Sequence, residues 1–319
     1  MEKSLPMKTN LLSFATLLLA CGLGFVISPA LAASDDQLGF NSPDDAVAAL
    51  VAAAKNDDTN TMHAIFGPAG ADLMSPDPVQ AAAEHQRFVE RLTQKTRIVN
   101  LSDTNAFLEL GSDGWPFPIP LVKQDGLWGF DTLAGRDEIF RRRIGMDELG
   151  AINVCYAYVQ AQREYASQDR MGDGVPAFAQ YLLSNPGKRD GLFWPTNGEP
   201  DATLSPLGPL IAQARGEGYR HSAHIINNQA APYHGYYFKI LTREGKHAPG
   251  GKYDYIINGR MIGGFALIAW PAEWGNSGVM TFIVNQQGQV FQKNLGPKTA
   301  KIASETTTYD PDETWSPVP

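Results

Sequence analysis

The sequence predicts an α+β protein, with N-terminal helices on a curved antiparallel sheet followed by a long helix packed on a second antiparallel sheet. Three observations lead there. Apolar residues recur at helical spacing through residues 43–92 and then alternate at strand spacing through 96–132. Helical periodicity returns over 135–168. The last third alternates again, between glycine-bearing turns. Helices and antiparallel strands in separate runs, rather than alternating βα units, mark an α+β fold.

Ser42, Pro43 and Asp45 open the first helix as cap, first-turn proline and early acid. Ala46, Val47, Leu50, Val51 and Ala54 supply its apolar stripe. A short second helix ends at Gly67-Pro68, and a third follows Asp77-Pro78, carrying Phe88, Val89 and Leu92. "TRIVNLS", "NAFLELG", "PFPIPLVKQ" and "GLWGFDT" read as four strands. Pro116, Pro118 and Pro120 alternate, which places the third strand at a sheet edge, where missing N–H groups cost least. This order of elements resembles the NTF2-like cone folds.

In the helix over 135–168, Gly145 reads as an interruption and Asp147 as a cap. Leu149, Ile152, Tyr156 and Val159 form the expected buried stripe. Arg141, Arg142 and Arg143 read as a basic run at a helix end, favoured by the helix dipole. Residues 185–233 are irregular and rich in proline and glycine, with one short helix. "GYYFKILT", "YDYIING", "GGFALIAWP" and "GVMTFIVNQQGQVFQKNLG" read as strands, with a hairpin turn at Gln287-Gly288. The polar tail from Glu305 is expected to be loosely held. The expected organisation is a leader over 1–32, an α+β domain over 33–134, a helix-plus-sheet domain over 135–304 and a tail over 305–319.

Lys3 and Lys8 precede an apolar run over 11–27, and the chain reaches Ala30 and Ala32 in a small-x-small pattern. This is the pattern of a secretory leader cleaved after Ala32, so the expectation is export to the periplasm or beyond, with no membrane span left after cleavage. "LLLAC", ending at Cys21, resembles a lipobox, yet the chain stays apolar through Ile27 where a lipoprotein turns polar; soluble export is favoured. Cleavage leaves Cys155 as the one cysteine, which precludes an internal disulfide. Its apolar neighbours suit a small buried hydrophobe. A formal charge of -8 over 319 residues, with no strongly basic segment, argues against nucleic acid as a partner.

Candidate chemistry is sparse. In "SQDRMGDGVPAFAQYL", Asp169, Asp173 and Gly174 have the first, fifth and sixth places of a calcium loop, but Met171 stands at the third and Gln180 at the twelfth. A polar turn is the simpler reading. His221, His224, His234 and His247 lack the further ligands that zinc requires. "GNSGV" approaches a serine-nucleophile turn around Ser277 but has Val279 where the motif needs glycine. His234 and Asp254 are the nearby base and acid in the right order. "GKHAPGGKY" has Gly251 and Lys252 where a phosphate loop needs Lys and Ser or Thr. Trp194, Tyr233 and Trp274, beside prolines or glycines, are candidate groove residues for an envelope protein or glycan.

The segments "WPFPIPLVK", "RRRIGMDELGAI", "AYVQAQREYASQDRMGDG", "GKRDGLFWP", "SPLGPL", "PYHGYYFKIL" and "INGRMIGGFALIAWPAEWGNSGVMTFIVNQQGQVF" resemble, in order, the exported bacterial family known only as domain of unknown function 2950. The resemblance spans nearly all of 40–315 and implies no activity. The family's turn resembles D-x-D-G-D-G, from which Met171 departs. The second half is also loosely similar to the globular heads of type IV pilin-like proteins, without their exposed apolar stem. The expected function is a non-enzymatic structural or interaction module of the cell envelope. The alternatives are a periplasmic hydrolase using Ser277 or an acid of the second domain, and a calcium-stabilised binding module.

Overall fold

A computed structural model describes residues 37–195, 204–219 and 231–319. The expected leader, Cys21, His221 and His224 lie outside the described residues. The fold is α+β. Helix α1 (Pro43–Lys55) starts as its sequence dictates, with the Ser42 side chain accepting the Asp45 N–H and proline in the first turn. Asp58 caps α2 (Thr59–Phe66), a 3-10 turn spans Pro68–Leu73, and Asp77 caps α3 (Pro78–Gln94) by accepting from Val79 and Gln80. These helices cover an antiparallel sheet of β1 (Thr96–Asn100), β2 (Asn105–Leu110), β3 (Trp115–Pro116), β4 (Leu121–Gln124) and β5 (Leu127–Phe130), ordered β1-β2-β4-β5 with β3 also beside β2. Leu50, Ile65, Leu92, Leu108 and Phe130 fill the core between them.

The proline stretch departs from expectation. It is split: β3 stops at Pro116 and β4 begins at Leu121. Phe117 still donates to Leu108 O at 2.8 Å, but Pro118 and Pro120 have no N–H to continue a ladder.

Helix α4 (Thr132–Ala166) runs unbroken for 35 residues from its Asp131 cap. Gly145 does not interrupt it, and Asp147 lies buried within it rather than capping a second segment. The buried stripe is also rotated from the expected one. Ala151, Cys155, Tyr158, Val159, Gln162 and Tyr165 face inward, whereas Leu149 and Tyr156 face solvent. The inward face thus mixes small side chains, Ala151 and Cys155, with large ones, Tyr158 and Tyr165.

The second half contains the parallel pair β6 (Tyr181–Leu183) and β7 (Gly191–Phe193), then α5 (Gly208–Gly216). Its main sheet comprises β8 (Tyr236–Leu241), β13 (Ala266–Pro271), β14 (Met280–Asn285), β15 (Val290–Asn294) and β17 (Ser316–Pro317). The order is β17-β15-β14-β13-β8, antiparallel throughout. Short strands β9 (Arg243–Glu244), β10 (Tyr253–Asp254), β11 (Ile256–Ile257) and β12 (Arg260–Met261) lie between β8 and β13 in the chain. Helix α4 packs on β13, β14 and β15, while α6 (Thr299–Glu305) also packs on β13. Every residue of β13 is buried, in keeping with its unbroken apolar run "ALIAWP".

The tail is not loosely held. β16 (Thr308–Tyr309) pairs parallel to β9, and β17 extends the main sheet beside β15. Tyr309, fully buried, and Trp315 and Val318, packed against the second core, anchor a segment that is otherwise mostly polar.

Gly135 sets how closely α4 approaches the first sheet. A Cβ there would stand 2.7 Å from Ile119 Cα, a backbone atom that cannot swing aside. Gly135→Ala should therefore destabilise the protein by about 1–3 kcal/mol, as overpacking does. The check is a lowered urea midpoint at unchanged slope; a wild-type midpoint would show that the approach is slack.

Candidate functional site

Buried polar groups concentrate where the two cores meet. Arg143, from the middle of α4, is 3% exposed. Its guanidinium pairs with Glu84 of α3 at 3.0 Å, donates to Leu73 O at 2.6 Å, and donates to Asn276 Oδ1 in the turn between β13 and β14. Arg143 is thus no solvated residue at a helix end. One planar fork engages both halves of the chain, a geometry a lysine could not copy.

One turn further along α4 lies Asp147, 1% exposed. Its Oδ1 accepts from Gln80 Nε2 at 2.6 Å, and its Oδ2 has no hydrogen-bond partner. Burial pushes the carboxyl up to about 8, with the Gln80 bond and Arg143 opposing and the nearby Glu84 and Asp77 reinforcing the shift. Asp77 is fully buried and differently supplied. Beyond capping α3 it accepts from Tyr219 Oη at 2.7 Å and from Gly235 N–H at 3.3 Å. Burial, and then the contact with Asp77, push the Tyr219 hydroxyl up. Gly235 is the packing point of this cluster: at φ +70° a Cβ would stand 2.5 Å from Asp147 Oδ2 and 2.8 Å from Ser277 Cβ.

The structure brings Ser277 and His234 into this neighbourhood but does not join them. Ser277 is fully buried; its Oγ accepts from Glu273 N–H at 3.1 Å and donates to Glu273 O at 3.3 Å, which closes a local turn. His234 directs Nε2 to Glu217 at 2.8 Å. Asp254 stands apart at the surface in a 3.6 Å pair with Arg243. Asp169 accepts the N–H groups of Met171, Gly172 and Gly174, and these bonds, chiefly that from Gly174, hold its carboxyl below the usual range. Asp173 accepts from Val175 N–H and pairs with Arg260. His247 pairs with Asp310 at 3.1 Å. Among the described residues, no group of His, Cys, Asp and Glu is placed to hold a metal ion.

Of the candidate groove aromatics, Trp194 and Tyr233 are core residues; only Trp274 reaches solvent, with its indole N–H on Asn294 Oδ1 at 3.0 Å. Cys155 is fully buried, which pushes its thiol up to about 12. A second buried acid, Glu244, gathers donors from Tyr255, Asn285 and Gln286 onto one oxygen at 2.7, 2.8 and 3.0 Å. It fastens β9 to the end of β14.

Sequence reasoning missed Asp77 and Asp147 as partners across the junction. The sequence pattern puts both at helix ends, and only Asp77 is a cap. The available signal was spacing: Arg143 and Asp147 are four apart, hence on one face of a helix.

The family model described as "Protein of unknown function (DUF2950)" matches residues 37–318. Neither the curated proteins nor the solved structures contain a significant match. The likeness to pilin heads therefore stands on the sequence alone.

Asp147 makes stability depend on pH with a definite sign. Its carboxyl rises from 3.8 to about 8 on folding, so between those values the unfolded chain loses a proton that the folded chain keeps. The group's contribution is unpenalised below the lower value, falls as pH rises through the window and is constant above it. Asp147→Asn should flatten this fall and raise the melting temperature at pH 8.5 by about 2–4 °C per kcal/mol recovered. Melting curves of variant and wild type that run parallel from pH 4 to pH 8.5 would contradict the assignment.

Proposed function

The chain belongs to the family of unknown function DUF2950, and from that premise we propose that it is an exported, non-enzymatic interaction module of the cell envelope. The observation that supports this most is what the reactive side chains already do. Ser277 Oγ is spent on the Glu273 backbone, His234 on Glu217 and Asp254 on Arg243. A hydrolase needs its base within hydrogen-bond reach of its nucleophile. Export rests on the leader-like first 32 residues.

One observation favours the hydrolase reading. Asp147 holds its proton at neutral pH beside Ser277, and an acid displaced in this way is a frequent catalytic element. Its depth argues for the other side, since a general acid must touch a substrate. The calcium reading has less behind it, because Asp169 and Asp173 are engaged by the turn's own N–H groups and by Arg260.

A fluorophosphonate probe applied to the exported protein, followed by intact-mass measurement, tests both parts. The expected species is unlabelled and begins at Ala33. A probe adduct that disappears in Ser277→Ala would overturn the non-enzymatic reading, and a mass beginning at an acylated Cys21 would overturn soluble export.

A further inference from the structure

Among the described residues, strand β1 is an edge of the first sheet and pairs with β2 alone. The hydrogen bonds show which of its groups are unused. Gly111 N–H donates to Lys95 O and Leu101 N–H to Asn105 O, both at 2.8 Å, so the odd-numbered positions turn their backbone toward β2. Phe117 N–H donates to Leu108 O, so Leu108 turns its backbone away from β1, and Ile98 opposite it turns away in the other direction. Thr96, Ile98 and Asn100 therefore present N–H and C=O groups to the open edge, about 6.8 Å apart.

These residues line an open groove together with Asp44 and Val47 of α1, Asp103 and Trp128. The charged groups of the groove are unbalanced. Arg97 is paired with Glu109 across the ladder, whereas Asp44 and Asp103 are exposed and have no cationic partner among the described residues. The opposite edge of the sheet differs. There Phe40 exchanges both backbone hydrogen bonds with Trp128, at 2.8 and 2.7 Å, so the chain itself supplies the added segment.

We propose that the β1 edge docks an extended, basic segment of a partner protein, which adds to the sheet as a further strand. The repeat of free donors and acceptors matches a polypeptide backbone, as in strand-addition recognition generally. Asp44 and Asp103 select Lys or Arg on that segment, and Val47 and Ile98 offer a contact for an apolar side chain between them. A second copy of this chain is disfavoured, since it would bring its own Asp44 and Asp103 to the same groove. The inference rests on the interaction-module reading and narrows the partner from protein or glycan to an extended protein segment.

The test uses the mature chain and a capped octapeptide of alternating lysine and valine. Two further peptides serve as comparisons, one with glutamate for lysine and one N-methylated at alternate residues. The lysine peptide should bind saturably and slow amide exchange at Ile98 and Asn100. Both comparison peptides should bind at least about tenfold more weakly, and Asp44→Asn with Asp103→Asn should remove the lysine preference. No binding at millimolar lysine peptide, equal binding of the glutamate peptide, or indifference to N-methylation would each overturn the proposal. So would exchange protection at this edge that grows with protein concentration and needs no peptide, because the occupant would then be a second copy. Failure of this docking with Ser277 still unlabelled removes the site and leaves the module reading intact, whereas labelling of Ser277 removes the reading itself.

Discussion

The Arg143 guanidinium is the contact on which the arrangement of the two halves depends. It sits almost wholly out of water, bonded to Glu84 and Leu73 O on one side and to Asn276 on the other. A buried ion pair gains little over well-packed apolar side chains, but removing one partner costs about 3–5 kcal/mol because the other charge is left stranded. The value of Arg143 is thus geometric. The α3 face, the end of the 3-10 segment and the β13–β14 turn must all be in place before its donors are satisfied.

Asp77 and Asp147 extend the same logic with unequal sets of donors. Asp77 gathers four donors: two N–H groups of its own helix, the Tyr219 hydroxyl and the Gly235 N–H. Asp147 gathers one and keeps its proton at neutral pH. Gly235 has no side chain because Asp147 and Ser277 occupy the space where one would stand. The junction is therefore a packed and nearly saturated polar seam. That state fits a fastening rather than an open site.

Local chemistry was legible in the sequence, and its tertiary use was not. Ser42 and Asp77 announce helix starts because a cap acts within three residues. The β14–β15 hairpin declares itself through Gly288, which takes φ +85°. The inward face of α4 is not the one that apolar spacing marks: Ala151 and Cys155 face the core, whereas Leu149 and Tyr156 face solvent. Ser277 has a motif-like frame, but its hydroxyl answers to the backbone four residues earlier. The seam draws on residues as far as 202 positions apart, as Met74 and Asn276 are, and no periodicity or motif links such distant positions.

The central claim is that this seam makes the two cores one cooperative unit. Native-state hydrogen exchange in rising urea measures this directly, by following amides of β2 in the first core and β14 in the second. A seam that holds as described gives both strands the same opening free energy and the same urea dependence, so that they merge into a single global unfolding. Exchange of β2 through a lower-energy opening that leaves β14 protected would show two halves that merely touch.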